Sequence, residues 1–235
     1  MSDHGRFILE VQDEQQLDDR VEQVYDLVWR FDFGAPGFVV LDIPPGPDSH
    51  VLRAWMLRLK LGLSDTGVRR GRGAFAFRSL SRFDQQVTTK FHLDGAPDQS
   101  LLILGYEPSE VKSRLFLADY SRAAFDQGIT PLQFLQDFNP MYKTGEDLLR
   151  EYVTELPSPA LGHSRIVAIN NSALPFSEAR TNSLGVFHKA TIDSPDSTKR
   201  RIINSTMLAL EEQDTVDRAQ QHEYVTTDKI SQRDY

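Results

Sequence analysis

The stretch "KFHLDGAPDQSLLILGY", Lys90 to Tyr106, decides how this chain is read. In an extended backbone, side chains at i and i+2 share a face, so His92 and Asp94 point the same way. Phe91 and Leu93 fall on the opposite face, and the turn-forming "DGAPD" leads into the apolar run Leu101 to Leu104. A strand with a histidine and a carboxylate on one face is poorly suited to a plain core. The pair suits one half of a metal site, provided a third ligand lies elsewhere.

Composition bounds the alternatives. With 235 residues, 40% of them hydrophobic, the chain can bury a core. There is no cysteine, which excludes disulfides, thiolate catalysis, iron–sulfur clusters and cysteine-ligated zinc. Any metal is left to His, Asp or Glu, with six histidines available. A net charge of −8 argues against a nucleic-acid partner, which needs a broadly basic surface. The opening "MSDHGRFILEVQDEQQ" lacks a basic region followed by an apolar one, and no run approaches the roughly 18 apolar residues of a membrane span. The expectation is a soluble, cytoplasmic protein with no membrane partner.

Periodicity supplies the outline. In "DEQQLDDRVEQVYDLVWRF", Leu17, Val21, Val24 and Val28 recur at helical spacing. A buried strand follows at Phe38 to Ile43, then a Pro/Gly break and a second helix in "SHVLRAWMLRLKLGL" with Ser49 as N-cap. The basic segment Arg69 to Arg82 reads as a loop entering a strand. Strands are expected in "VTTKFHLD", "SLLILGYE", "SRLFLADY", "SRIVAINNS", "SLGVFHKATI" and "KRRIINSTMLAL". A helical insert, "TPLQFLQDFNPMYKTGEDLLREYVTEL", starts at Thr130 and Pro131. From Glu211 the chain is polar and acidic, and an extended or disordered tail is expected. The pattern indicates an α+β, mainly β domain built around a sandwich or barrel.

His-x-Asp is common on its own, and the weight comes from its company. His188, in "SLGVFHKATI", lies on another strand-like segment 94 residues after Asp94, and Arg200 and Arg201 open the run "RRIINST" shortly after it. A guanidinium there can pair bidentately with a carboxylate. This order of residues resembles the iron(II)- and 2-oxoglutarate-dependent dioxygenases: His-x-Asp, a long gap, a distal His, then an Arg about a dozen residues on. The resemblance covers about Val87 to Leu210. It implies a double-stranded β-helix (jelly-roll) core, with N-terminal helices over about residues 1–86 and a barrel over about 87–210, and 211–235 as the tail. It further implies Fe(II) on His92, Asp94 and His188, and 2-oxoglutarate as cosubstrate with O2. Arg200 or Arg201 would take the far carboxylate. Arg201 is favoured because Ser205 shares its face. Because Asp94 is present, hydroxylation or a related oxidation of a small organic substrate is expected rather than halogenation.

Other residues have plainer readings. Strand parity would bring Lys90 and Thr88 into the pocket with His92, so Lys90 is a weak candidate for cosubstrate contact. His163 is a rival third ligand but has no Arg a dozen residues beyond it. Asn170 and Asn171 read as caps of a strand end in preference to residues that orient a ligand, Arg69, Arg70, Arg72, Arg78 and Arg82 as a solvated face in preference to a patch steering an acidic substrate, and Phe134, Phe138 and Tyr142 as core contacts in preference to substrate contacts. Two alternatives stay open: a cupin-like metal enzyme that does not use 2-oxoglutarate, and a non-catalytic β-sandwich interaction module.

Overall fold

The computed structural model describes residues 6–95, 98–138, 143–173, 183–211 and 213–231. Its elements are, in order, β1 (Ile8–Glu10), α1 (Glu14–Val28), β2 (Phe38–Ile43), α2 (Ser49–Arg69), β3 (Phe75–Asp84), β4 (Ser100–Tyr106), β5 (Ser113–Ala118) and α3 (Tyr120–Asp126). There follow α4 (Pro131–Asp137), α5 (Lys143–Leu149), β6 (Val153–Leu156), β7 (Ser164–Asn170), β8 (Phe187–Ile192), β9 (Ile202–Leu210) and α6 (Arg218–Thr226). The strands form a large sheet ordered β1-β2-β7-β4-β9-β3 and a small one ordered β6-β5-β8. Every pairing is antiparallel except β1 with β2.

The runs "FVVLDI", "SLLILGY" and "SRIVAIN" show little polar alternation because their sheet is covered on both faces. On one face Val39, Leu41, Leu101, Ile103, Ile166 and Ala168 pack against α1 and α2, whose Leu17, Val24, Met56 and Leu59 are fully buried. On the other, Phe38, Val40, Leu102, Leu104, Val167, Ile169 and Ile203 meet Leu115, Leu117 and Leu156 of the small sheet. Each fully buried side chain of this size contributes about 1.5–3 kcal/mol. The small sheet turns its other face to the helical insert. Phe116 and Phe187 pack there with Tyr120, Phe134, Phe138 and Leu149, and Phe138 and Phe187 have ring centroids 5.0 Å apart. Tyr142 lies outside the described residues.

Four expectations are corrected. The N-cap of α2 is Asp48, which accepts from the Val51 N–H, while Ser49 donates to Glu107 at 2.5 Å. The segment 87–94 is not a regular strand: it meets β8 at one bridge, His92 with His188. Threonine hydroxyls replace rungs of a ladder, since Ile192 and Ala190 donate to Thr88 Oγ1 and Thr89 Oγ1, each at 2.9 Å. Val153–Leu156, expected as helix, is β6, because Val153 and Thr154 pair with Ala118 and Leu117. The tail holds α6, which starts with a capping box between Asp217 and Gln220. It docks through its backbone more than through apolar content: Arg53 Nη2 donates to Val225 O at 3.0 Å and Thr227 O at 2.8 Å, and Arg82 donates to Asp228 O at 2.8 Å.

Candidate metal centre

His188 sits in β8 between Phe187 and Lys189. Alternation sends those two toward the insert and turns His188, with Ala190, into the space between the sheets. It lies opposite Leu117 of β5. The approach to β8 is tight: a Cβ at Gly185 would fall 1.9 Å from the Ser172 carbonyl, so only glycine fits there. Tyr120 Oη donates to that same carbonyl at 2.5 Å. His92 is held beside His188 by reciprocal backbone hydrogen bonds of 3.1 Å each, and their ring centroids are 4.2 Å apart.

Asp94 completes the group. Its Oδ1 lies 3.4 Å from His92 Nε2 and 3.9 Å from His188 Nε2, and one donor atom from each of the three falls within 4.8 Å of the others. A cation with bonds of about 2.0–2.2 Å keeps its donors roughly 3–4 Å apart, so these atoms need little movement to close on one. Two histidines and one carboxylate are the donor set of non-haem Fe(II) sites with open positions.

The protonation pattern agrees with ligation. His92 Nδ1 lies 2.6 Å from the Lys90 carbonyl, which can only accept, so Nδ1 carries a proton and Nε2 faces Asp94. Burial disfavours the charged form of His92, but the Asp94 carboxylate and Lys90 carbonyl outweigh it and raise its pKa above the ordinary 6.5. Burial, with the neighbouring His92, pushes His188 down to about 4 despite Asp94, so His188 is neutral and offers a lone pair at neutral pH. Its Nδ1 is buried without a hydrogen-bond partner.

The three residues open into a cavity of about 150 Å³, walled by Phe83, Leu104, Leu115 and Ile203 with Gln85, Thr89 and Tyr106. Tyr106 and Leu115 also border a second cavity of about 400 Å³, which Arg201 lines. Arg201 is 3% exposed. Its Nε donates to Ser113 Oγ at 2.9 Å, and Nη1 donates to Gln85 O at 3.1 Å and Gln85 Oε1 at 2.8 Å. Its guanidinium carbon stands 5.3 Å from the Tyr106 ring centre. Among the described residues no carboxylate forms a salt bridge with it. Arg200 is exposed and offers only its carbonyl, to Ser109.

Lys90 is placed elsewhere. It is exposed and faces Glu146 at 3.6 Å, and Thr89 lines the cavity in its stead. His163 pairs with Asp42 at 3.1 Å, away from the triad. Arg69, Arg70, Arg78 and Arg82 are each paired with a carboxylate, and Arg72 lies over Phe31. Asn170 Nδ2 donates to Val28 O at 2.9 Å. Asn171, read from the sequence as a strand-end cap, grips the backbone of Asp94 instead.

No protein-family model matches the chain, and no curated protein matches it in sequence. Among solved structures, asparagine oxygenase superposes with a TM-score of 0.46 at 12% identity, over 87% of this chain and 93% of that one. A taurine dioxygenase from Burkholderia xenovorans gives 0.44 at 13% identity, over 88% of each chain. An iron and alpha-ketoglutarate-dependent endoperoxidase gives 0.38 at 12% identity, over 82% and 81%. These neighbours are oxygenases and dioxygenases by name, the last of them iron- and alpha-ketoglutarate-dependent, and a His-x-Asp…His triad is present in this chain. Superpositions this loose say nothing of substrate or of residue roles, which rest on the side chains above.

Proposed function

We propose that this chain is an Fe(II)- and 2-oxoglutarate-dependent dioxygenase with a jelly-roll core, oxidising, and most simply hydroxylating, a small organic substrate. The observation that carries the reading is the convergence of the donor atoms of His92, Asp94 and His188 on one cavity, with His188 neutral. His92, Asp94 and His188 would hold the iron. Arg201 would take the far carboxylate of 2-oxoglutarate: it is a buried guanidinium hydrogen-bonded only to neutral acceptors, with Asp84 acting on it but forming no salt bridge, so a buried anion can pair with it. Arg200, exposed, is not needed for that role. Bound iron, with 2-oxoglutarate and O2, supplies the oxidation, and 2-oxoglutarate leaves as succinate and CO2. The chain's own part is to position these groups and, through Phe83, Leu104, Leu115 and Ile203, to keep water from the inner cavity.

The test is anaerobic titration of the metal-free protein with Fe(II) and then 2-oxoglutarate, following the visible charge-transfer band of the chelate. A band in the wild type that is lost in Asp94→Ala and His188→Ala supports the reading. Iron binding without a band transfers it to a cupin-like enzyme that does not use 2-oxoglutarate. Absence of iron binding leaves the interaction module.

A further inference from the structure

We infer that Asn171 is a positioning residue for Asp94, an inference that rests on the metal reading above. His92 meets β8 through a single bridge, after which the chain leaves the small sheet. Asp94 is then gripped from the large sheet. Its N–H donates to Asn171 Oδ1 at 3.0 Å, and its carbonyl accepts from Asn171 Nδ2 at 2.9 Å. One side-chain amide thereby reproduces the two-bond exchange of an antiparallel residue pair.

The amide is itself fixed. Nδ2 also donates to Ser100 Oγ at 3.1 Å, the Asn171 N–H donates to Ser100 O at 2.9 Å, and Asn171 is 2% exposed. Ser100 begins β4, and Asn171 follows the last residue of β7, where Asn170 pairs with Leu101. The donors of the triad therefore have two supports. His92 and His188 ride on the small sheet, while Asp94 is fastened through Asn171 to the end of the large one. The Asn171 clamp sets the carboxylate-to-imidazole spacing across the gap between the sheets. Asparagine suits the post: aspartate has no donor for the Asp94 carbonyl, and glutamine is one methylene too long for this reach.

The experiment compares wild type, Asn171→Ala and Asn171→Asp in two ways: calorimetric titration of the metal-free protein with Co(II), and NMR hydrogen exchange at the Asp94 amide without metal. Expected are Co(II) affinity about 10–100-fold weaker in Asn171→Ala, a smaller loss in Asn171→Asp, and an Asp94 amide protected in the wild type but exposed to exchange in Asn171→Ala. A purely structural role would lower the melting temperature of the variants and leave their affinity in place. Folded Asn171→Ala that binds Co(II) within about twofold of a metal-binding wild type overturns the inference. Should Asn171→Ala not fold, Asn171→Asp and the wild-type exchange rate carry the test, and an unprotected Asp94 amide in the wild type overturns the clamp. A wild type that binds no metal, yet protects that amide, refutes the metal reading and keeps the clamp.

Discussion

Replacing Arg201 with methionine separates the cost of the cosubstrate anchor from the cost of a core change. The guanidinium makes three hydrogen bonds, all to neutral acceptors on Ser113 and Gln85. Burial is the main influence on it and lowers its pKa from the ordinary guanidinium range, with Tyr106 and Asp84 offsetting only part of that effect. Methionine forfeits those bonds but also removes a desolvated charge, and swaps of this kind are often near neutral. The metal-free protein should therefore change in stability by no more than about 2 kcal/mol, or roughly 4–8 °C in Tm for a chain of this size. Binding of 2-oxoglutarate should suffer far more. Truncating one partner of a buried charge pair costs about 2–5 kcal/mol, or about thirty-fold to a few thousand-fold in Kd. The assay is anaerobic titration of the Fe(II)-loaded variant with 2-oxoglutarate, with Fe(II) affinity measured separately. Fe(II) affinity should hold, because Arg201 makes no hydrogen bond to the triad. Folded Arg201→Met that binds 2-oxoglutarate within about threefold of wild type would refute the reasoning, and so would an equal loss in Arg200→Ala.

Three further outcomes are expected. His188→Ala should lose metal binding and, by leaving a cavity where a buried ring packed against His92, also lose stability in the metal-free form; calorimetric metal titration and thermal melts check this, and wild-type metal affinity in the variant would contradict it. Burial raises the Glu107 pKa, but hydrogen bonds from Arg82, Ser49 and Asn204 outweigh it and leave the carboxyl below its ordinary 4.5. Its contribution is therefore full above about pH 4.5 and lost as pH falls through the lower folded value; urea melts below pH 5 should be less pH-dependent in Glu107→Gln, and equal slopes would sink the assignment. Truncation after Leu210 removes buried Val216 and Tyr224 and strips carbonyl partners from Arg53. It should cost at least about 3 kcal/mol, read as a Tm drop of roughly 6 °C or more, and an unchanged melt would show the tail to be dispensable.

Elements buried on both sides were legible in the sequence: β2, β4 and β7 are apolar runs bounded by turn residues, and α1 shows its period in Leu17, Val21, Val24 and Val28. The misread elements are those whose order comes from partners remote in sequence. α6 has few apolar residues, and Arg53 and Arg82 reach from α2 and β3 to the carbonyls of Val225 in α6 and of Thr227 and Asp228 just after it. β6 is four residues long and continues directly from a helical turn, so its only signal is pairing with β5.

The site divides along the same line. His92 and Asp94 were placed together on an i, i+2 argument, which needs only an extended backbone over three residues and survives the loss of the strand. Carrying that parity back to Lys90 required a continuous ladder. Thr88 and Thr89 break it with their hydroxyls, and Lys90 turns outward to Glu146 while Thr89 faces the cavity. Asn171 illustrates the converse. Its type and place at a strand end suggest a cap, and no local pattern shows that the N–H and carbonyl it satisfies belong to a residue 77 positions earlier. That knowledge depends on the register of β7 against β4, which puts Asn170 opposite Leu101 and so Asn171 beside Ser100. Ligand identity is thus encoded locally, whereas the support that fixes ligand geometry is encoded in strand register, and register is the quantity a single sequence specifies least directly.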